Sequence, residues 1–149
     1  MSRQTFIFIG TTAQDADLMR LVEQTLGRQF TREQGSDPYI RVGTVAVYAG
    51  PHEFDDDDIT WPEGPEIPLH SKFPAMIEVR DTDGDQRRQE AIADKIFAAV
   101  RSSGRWPAVY IDDMQKIIGR YNPASLGAQR DLPVSAARRR CSPISRVAA

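Results

Sequence analysis

The sequence predicts a single α/β (α+β) domain, a two-layer sandwich in which two helices pack on a mixed β-sheet of about five strands. Short apolar runs rich in β-branched and aromatic residues alternate with amphipathic helical patterns. Clusters of turn-forming residues separate these segments. A chain of 149 residues is also long enough to bury a core of its own. We expect the domain to span residues 1–119 and residues 120–149 to form a basic, disordered tail, too poor in apolar side chains to offset the entropy of ordering it.

The first strand and the first helix have clear local signals. Phe6–Ile9 is a continuous apolar run that ends at Gly10, as in a strand buried on both faces. Thr11 and Thr12 offer hydroxyl groups to the start of a helix, and Gly27 suits its C-terminal cap. The apolar face of that helix consists of Leu18, Leu21, Val22 and Leu26.

The middle of the chain predicts two strands and a long loop. Gln29–Gln34 is polar, which suits an exposed edge strand. Tyr39–Tyr48 predicts one long strand with a bulge at Gly43, where the alternation of apolar residues changes phase. The segment 50–74 contains five prolines and a run of acids without periodicity, so we expect an irregular loop.

The second half repeats the strand–helix–strand pattern. Met76–Val79 predicts a strand, and the aspartates at positions 81, 83 and 85 supply turn and helix-capping chemistry before a second helix that ends at Gly104. Ala108–Ile111 predicts another central strand, and Asp112 with Asp113 suggests the cap of a last short helix through Gly119. The order β-α-β-β-loop-β-α-β indicates a ferredoxin-like or related fold with both helices on one face.

Composition narrows the class of protein. Cys141 is the only cysteine, which excludes an intramolecular disulfide and suits a reducing compartment. The four apolar residues near the start are too few for a signal peptide or a membrane span, so we expect a cytoplasmic protein with no membrane partner. Residues 1–119 carry 13 basic and 20 acidic side chains, whereas residues 120–149 carry six arginines and one aspartate. Nucleic acid is therefore an unlikely partner, although Arg138–Arg140 forms a small basic cluster.

The acidic segment, residues 53–66, is the most unusual stretch. It has seven acidic side chains and no basic one, with Phe54, Ile59 and Trp61 interspersed. Acidic charge beside an aromatic anchor is typical of a surface that recognises a basic protein. The alternative is a solvated exterior whose apolar residues fold back on the core. The predicted partner-binding residues are Glu53, Asp55, Asp56, Asp57, Asp58, Trp61, Glu63 and Glu66.

A second candidate site lies at the tips of the apolar strands. If the strands that contain Phe6, Met76 and Ala108 are neighbouring and parallel, the side chains that follow them converge at one edge of the sheet. Their oxygens could then hold Mg²⁺ for phosphoryl transfer or phosphohydrolysis, with Asp81, Asp83 and Asp112 as the catalytic candidates and Thr11, Thr12 and Asp113 nearby. Helix capping explains the same aspartates without any ligand.

Other recognised chemistries are not supported. Asp81–Asp85 begins like a calcium loop, but Gln86 and Ile92 stand where that loop needs glycine and glutamate. His52 and His70 lack the spacing of known metal motifs, and no phosphate-binding loop or nucleophile elbow is present. The sequence thus favours a non-catalytic binding or inhibitory module of the immunity type with no cofactor. A Mg²⁺-dependent enzyme is the first alternative, and a structural or homo-oligomerising subunit that pairs through the Gln29–Gln34 edge is the second.

Overall fold

The computed structural model describes residues 3–56 and 67–123, which form one six-stranded antiparallel sheet with helices. The strands are β1 (Thr5–Ile9), β2 (Tyr39–Val42), β3 (Val45–Pro51), β4 (Ala75–Asp81), β5 (Ala108–Asp112) and β6 (Lys116–Tyr121). Their order across the sheet is β2-β3-β4-β1-β5-β6. The predicted α/β layering is confirmed, and residues 124–149 of the predicted tail lie outside the described residues.

The helices are α1 (Ala16–Leu26), α2 (Leu69–Lys72) and α3 (Gln86–Ser103). Asp15, rather than Thr11 or Thr12, caps α1 by accepting the backbone N–H of Asp17 at 2.8 Å. Asp85 caps α3 in the same way, as its candidate role in the sequence suggested, by accepting from the N–H of Arg88 at 3.1 Å. No helix in the two described stretches is both long and apolar enough to cross a bilayer.

The sheet is covered on both faces. Ile7, Ile9, Ile77 and Val79 pack under α1 and α3, so both long helices lie on the same face as predicted. On the opposite face, Phe6, Phe8, Val109 and Ile111 are covered by Ile67 and Leu69 and by the half-buried Phe54. Strand β1 is therefore buried on both faces, which explains why its sequence is continuously apolar.

The sheet is antiparallel throughout, and the prediction of a mixed sheet is wrong. Strand β1 pairs antiparallel with β4 on one side and with β5 on the other. Strand β3, which runs in the same direction as β1, is separated from it by β4. Each helical connection thus joins strands that are not direct neighbours or that run in opposite directions, and no parallel pair forms among the strands of residues 3–56 and 67–123.

The predicted long strand Tyr39–Tyr48 is a hairpin rather than a bulged strand. Val42 pairs with Val45, so Gly43 and Thr44 form a two-residue turn in which Gly43 has φ +61°. The chain reverses there, which is the physical cause of the change in phase. The predicted Gln29–Gln34 edge strand is reduced to a single bridge between Thr31 and Tyr39.

The predicted short helix after Asp112 is also wrong, because this segment forms strand β6. Asp113 and Met114 both have positive φ, +52° and +56°, and the N–H of Gln115 donates to the carbonyl of Asp112 at 2.9 Å. These are the features of a type I′ hairpin turn. The pairing of β5 with β6 then skips Ile118, which is bulged out and 47% exposed.

Candidate functional site

The predicted site residues lie at two opposite ends of the strands. Strands β4 and β5 flank β1 and run antiparallel to it, so Asp81 and Asp112, at their C-terminal ends, lie at the same end of the sheet. Thr11 and Thr12 follow the other end of β1 and therefore lie at the opposite end. The expectation that these threonines join the aspartates is wrong, because it assumed parallel neighbouring strands.

Asp81 is a fully buried carboxylate whose partners are structural. It accepts hydrogen bonds from the hydroxyl of Thr44, from the backbone N–H of Asp85 at 2.6 Å and from the guanidinium of Arg88 at 3.2 Å. The hydrogen bond from Thr44 is the main reason that the pKa of Asp81 is below its usual value, and Asp85 and Arg88 lower it further against the effect of burial. The charged carboxylate thus ties the β2–β3 turn to the first turn of α3.

Gln89 fills the space beside Asp81. Its Oε1 accepts the backbone N–H of Asp81 at 2.9 Å, and its Nε2 donates to the hydroxyl of Thr5 and to the carbonyl of Arg3, both at 2.9 Å. The side chain is almost completely buried. Residues 89, 93, 96 and 100 share the buried face of α3, so a glutamine in an otherwise apolar stripe was the sequence signal for this polar bridge.

Asp112 and Asp81 do not meet. Asp112 pairs with Thr5 on one side of β1, whereas Val79, two residues before Asp81, pairs with Thr5 on the other. Strand spacings of about 4.8 Å and rises of about 3.3 Å per residue place the two Cα atoms about 12 Å apart. This separation argues against a shared Mg²⁺, whose oxygen ligands lie about 2.1 Å from the ion.

Asp83 adds no further ligand to either carboxylate. It is largely exposed, and its carboxylate lies 3.8 Å from the guanidinium of Arg88. Within residues 3–56 and 67–123, no three His, Cys, Asp or Glu side chains are placed to hold a metal ion. Asp81, Asp83 and Arg88 instead form an ion-pair cluster at the start of α3.

The acidic segment begins in a part of the chain that the structure describes. Glu53, Asp55 and Asp56 are described, whereas Asp57, Asp58, Trp61, Glu63 and Glu66 lie outside the described residues. Along residues 53–55, exposed and half-buried side chains alternate, so that Glu53 and Asp55 are exposed on either side of Phe54. This is the pattern of an extended chain lying against a surface.

Phe54 and His52 attach this segment to the sheet. The ring of Phe54 makes edge contacts with Phe6 and Phe8, with centroids 6.0 and 5.8 Å apart. His52 accepts the N–H of Phe54 at Nδ1 (3.1 Å), so its Nε2 carries the proton and donates to the carbonyl of Phe73 at 2.7 Å. Phe54, which the sequence offered as an apolar anchor for a partner, packs half-buried against the protein's own core.

Asp56 fixes the other end of this short stretch. Its Oδ1 accepts the backbone N–H of Ser71, in α2, at 2.8 Å, and this hydrogen bond is the main reason that the pKa of Asp56 is lowered. His52, Phe54 and Asp56 thus all bind back onto the protein. His52 has a structural role that the sequence did not reveal, because its carbonyl acceptor lies 21 residues away.

Comparisons of the chain with protein-family models, with curated proteins and with solved structures give no match.

Proposed function

We propose that the protein is a non-catalytic binding module that engages a basic protein partner through the acidic segment, in the manner of an immunity-type inhibitor that masks a cationic surface. The main support for this proposal is that exposed and half-buried side chains alternate along residues 53–55, with Phe54 packed on the sheet. Two exposed carboxylates, Glu53 and Asp55, flank a side chain that is packed on the sheet.

Anchoring matters because it lowers the entropic cost of recognition. A free acidic loop must be ordered when it binds, and fixing the backbone of each residue costs about 1–2 kcal/mol. Here the contacts of Phe54 with Phe6 and Phe8 already fix the backbone that carries the carboxylates. The start of the acidic segment is thus preorganised for a partner.

The charge distribution supports the same proposal. Residues 1–119 carry seven more acidic than basic side chains, and the acidic segment alone contains seven acids and no base. Such a concentration of negative charge attracts a basic surface from a distance and raises the rate of association. Screening by salt over about 8–10 Å makes this attraction depend strongly on ionic strength.

The experiment is affinity capture with the full chain at low and moderate salt, followed by measurement of the association rate with the captured partner. The double variant Glu53→Gln/Asp55→Asn removes two exposed charges and keeps Asp56, which bonds to Ser71. We expect it to slow association several-fold and to flatten its salt dependence. The matched control, Glu33→Gln/Asp83→Asn, removes two exposed charges elsewhere and should leave the rate nearly unchanged. Equal rates for both variants would sink the proposal.

We also propose that the finer topology is an extended ferredoxin-like fold. The elements β1-α1-β3-β4-α3-β5 follow the βαββαβ order, and their strands lie in the order β5-β1-β4-β3. On this reading, β2 and β6 are additional edge strands, one at each side of the four-stranded core.

A further inference from the structure

A cavity of about 270 Å³ lies on the helix-covered face of the sheet, between α3 and the β5–β6 hairpin. Thr5, Tyr110 and Asp112 come from the sheet, Glu90 and Asp94 come from α3, and Lys116 comes from β6. Three carboxylates therefore line it against one ammonium group. It is separate from the acidic segment, whose anchor Phe54 packs on the opposite face.

Asp112 is a buried carboxylate of the cavity lining with one oxygen that has no donor among the described residues. Its side chain is only 9% exposed, and its Oδ2 is paired with the guanidinium of Arg3. Its Oδ1 is buried and has no hydrogen-bond partner within the described parts of the chain. A buried carboxylate oxygen without a donor costs free energy, and the positive charge of a ligand in the adjoining cavity would offset part of this cost.

The second carboxylate is held in place beside it. The hydroxyl of Tyr110 donates to Asp94 at 2.8 Å, and Tyr110 is itself almost completely buried. Burial, reinforced by the bond to Asp94, raises the pKa of Tyr110, so the phenol remains a donor at all ordinary pH values. The orientation of Asp94 is therefore fixed by a neighbour that keeps its proton.

A largely apolar groove of about 510 Å³ continues from this cavity and shares Asp94, Tyr110 and Ile118 with it. Its lining also includes Arg101 and Ser102. Phe97 and Tyr121 supply its aromatic surface. Gly119 is required here, because a Cβ atom at this position would lie 2.9 Å from the ring of Phe97. The cavity thus offers carboxylates and the adjoining groove offers aromatic rings. This arrangement suits a ligand with a cationic group at the end of an apolar chain.

We propose that this cavity and groove bind an alkylguanidinium group, the chemistry shared by an arginine side chain and by small guanidines. A guanidinium is planar, stacks on aromatic rings and is more weakly hydrated than an ammonium, so its transfer into this half-apolar site costs less. Its N–H groups meet the carboxylates of Glu90, Asp94 and Asp112 that line the cavity, and its stem lies along Phe97. Lys116 also lines the cavity, and its ammonium forms no ion pair within the described stretches, so it competes with the ligand for the same carboxylates.

The test is titration of the full chain with n-butylguanidinium, followed by NMR of the backbone amides of Asp94, Ile118 and Gly119. We expect saturable shifts at these three residues and none with n-butylurea, the neutral analogue. Asp112→Asn should weaken binding about tenfold, because it removes a charge-assisted hydrogen bond. Lys116→Gln should strengthen it several-fold by removing the competing charge. Ala98→Trp, at an exposed position of α3 that lines the groove, should block it without altering the core.

Asp83→Asn is the matched control, since it removes a carboxylate from the same end of the sheet and outside the cavity. A second titration uses acetyl-Gly-Arg-Gly-amide. Binding of this peptide as well as n-butylguanidinium identifies arginine side chains of proteins as ligands, whereas binding of n-butylguanidinium alone identifies a small molecule. The proposal is overturned if n-butylguanidinium gives no saturable shift, if n-butylurea binds equally well, or if Asp112→Asn and Asp83→Asn bind alike.

Discussion

Replacing Gln89 with methionine tests whether the polar bridge at the start of α3 stabilises the fold. Methionine keeps the length and the helix propensity of the side chain, so the change removes mainly hydrogen bonds. Three are lost, to the N–H of Asp81, the hydroxyl of Thr5 and the carbonyl of Arg3. Each is worth about 0.5–1.5 kcal/mol net, and a buried group left without a partner costs about 1–3 kcal/mol.

We therefore expect Gln89→Met to lower the free energy of unfolding by about 3 kcal/mol, out of a total of about 5–15 kcal/mol for a domain. Urea unfolding at pH 7 measures this as a fall in the midpoint of about 1–2 M with an unchanged slope. Gln24→Met, at an exposed position of α1, is the control and should change the stability by less than about 0.5 kcal/mol.

Gln89→Glu gives a sharper form of the same test. The introduced carboxylate cannot donate to Thr5 or to the carbonyl of Arg3 while it is charged, and it lies near the carboxylate of Asp81. Its destabilisation relative to wild type should be largest at neutral pH and should shrink as the pH falls and the group becomes protonated. A loss below about 1 kcal/mol for Gln89→Met, or a pH-independent effect of Gln89→Glu, would refute the reasoning.

Three other predictions concern the fold. Gly10→Ala should lower the free energy of unfolding by about 1–3 kcal/mol, because the added Cβ would lie 2.6 Å from Pro107 Cγ and 3.0 Å from a backbone carbonyl oxygen. Urea unfolding should show a smaller loss when the same change is made in a Pro107→Ala background. The pKa of Asp81 is lowered in the folded state, so the contribution of this carboxylate to stability is present above about pH 4 and is lost as the pH falls through the folded pKa. Asp81→Asn should therefore make the unfolding midpoint depend less on pH between about pH 2 and 5. A pH profile identical to that of the wild type contradicts this prediction. Phe54→Ala should lower the free energy of unfolding by about 2 kcal/mol, measured by thermal or urea unfolding. A decrease below about 0.5 kcal/mol would show that Phe54 does not anchor the acidic segment.

The parts of the fold that could be predicted from the sequence are those with local signals. The apolar run Phe6–Ile9 predicts strand β1. The helices α1 and α3 are capped at their C-termini by Gly27 and Gly104, which both adopt positive φ. In each case the apolar period and the cap lie within a few residues of each other along the chain. Burial then adds to a preference that is already present locally.

The structural predictions were wrong where one local sequence pattern fits two different structures. A change of phase between Ile40 and Val47 fits a bulge as well as a reversal at Gly43, and only the pairing partner distinguishes them. Two adjacent aspartates likewise suit a helix cap, yet Asp113 tolerates the positive φ of a hairpin turn. The bulge at Ile118 then hides the alternation of β6.

The candidate sites show the same division. The acid-rich composition of residues 53–66 is visible in the sequence, but the packing of Phe54 on Phe6 and Phe8 depends on contacts more than 40 residues apart. The cavity beside Asp112 gave no sequence signal, because its carboxylates come from α3 and β5. The packing of α3 on β5 brings them together, and the local sequence of neither element indicates this contact.

Strand β1 lies between the described start of the acidic segment and the cavity, and each of its two faces contacts only one of them. Its odd-numbered side chains, from Thr5 onwards, face the helices and the cavity, whereas Phe6 and Phe8 face the acidic segment. Successive side chains of a strand project to opposite faces, so no side chain of β1 can contribute to both sites. A basic protein on one face and a guanidinium on the other would therefore occupy different residues, and each proposal stands or fails by its own experiment.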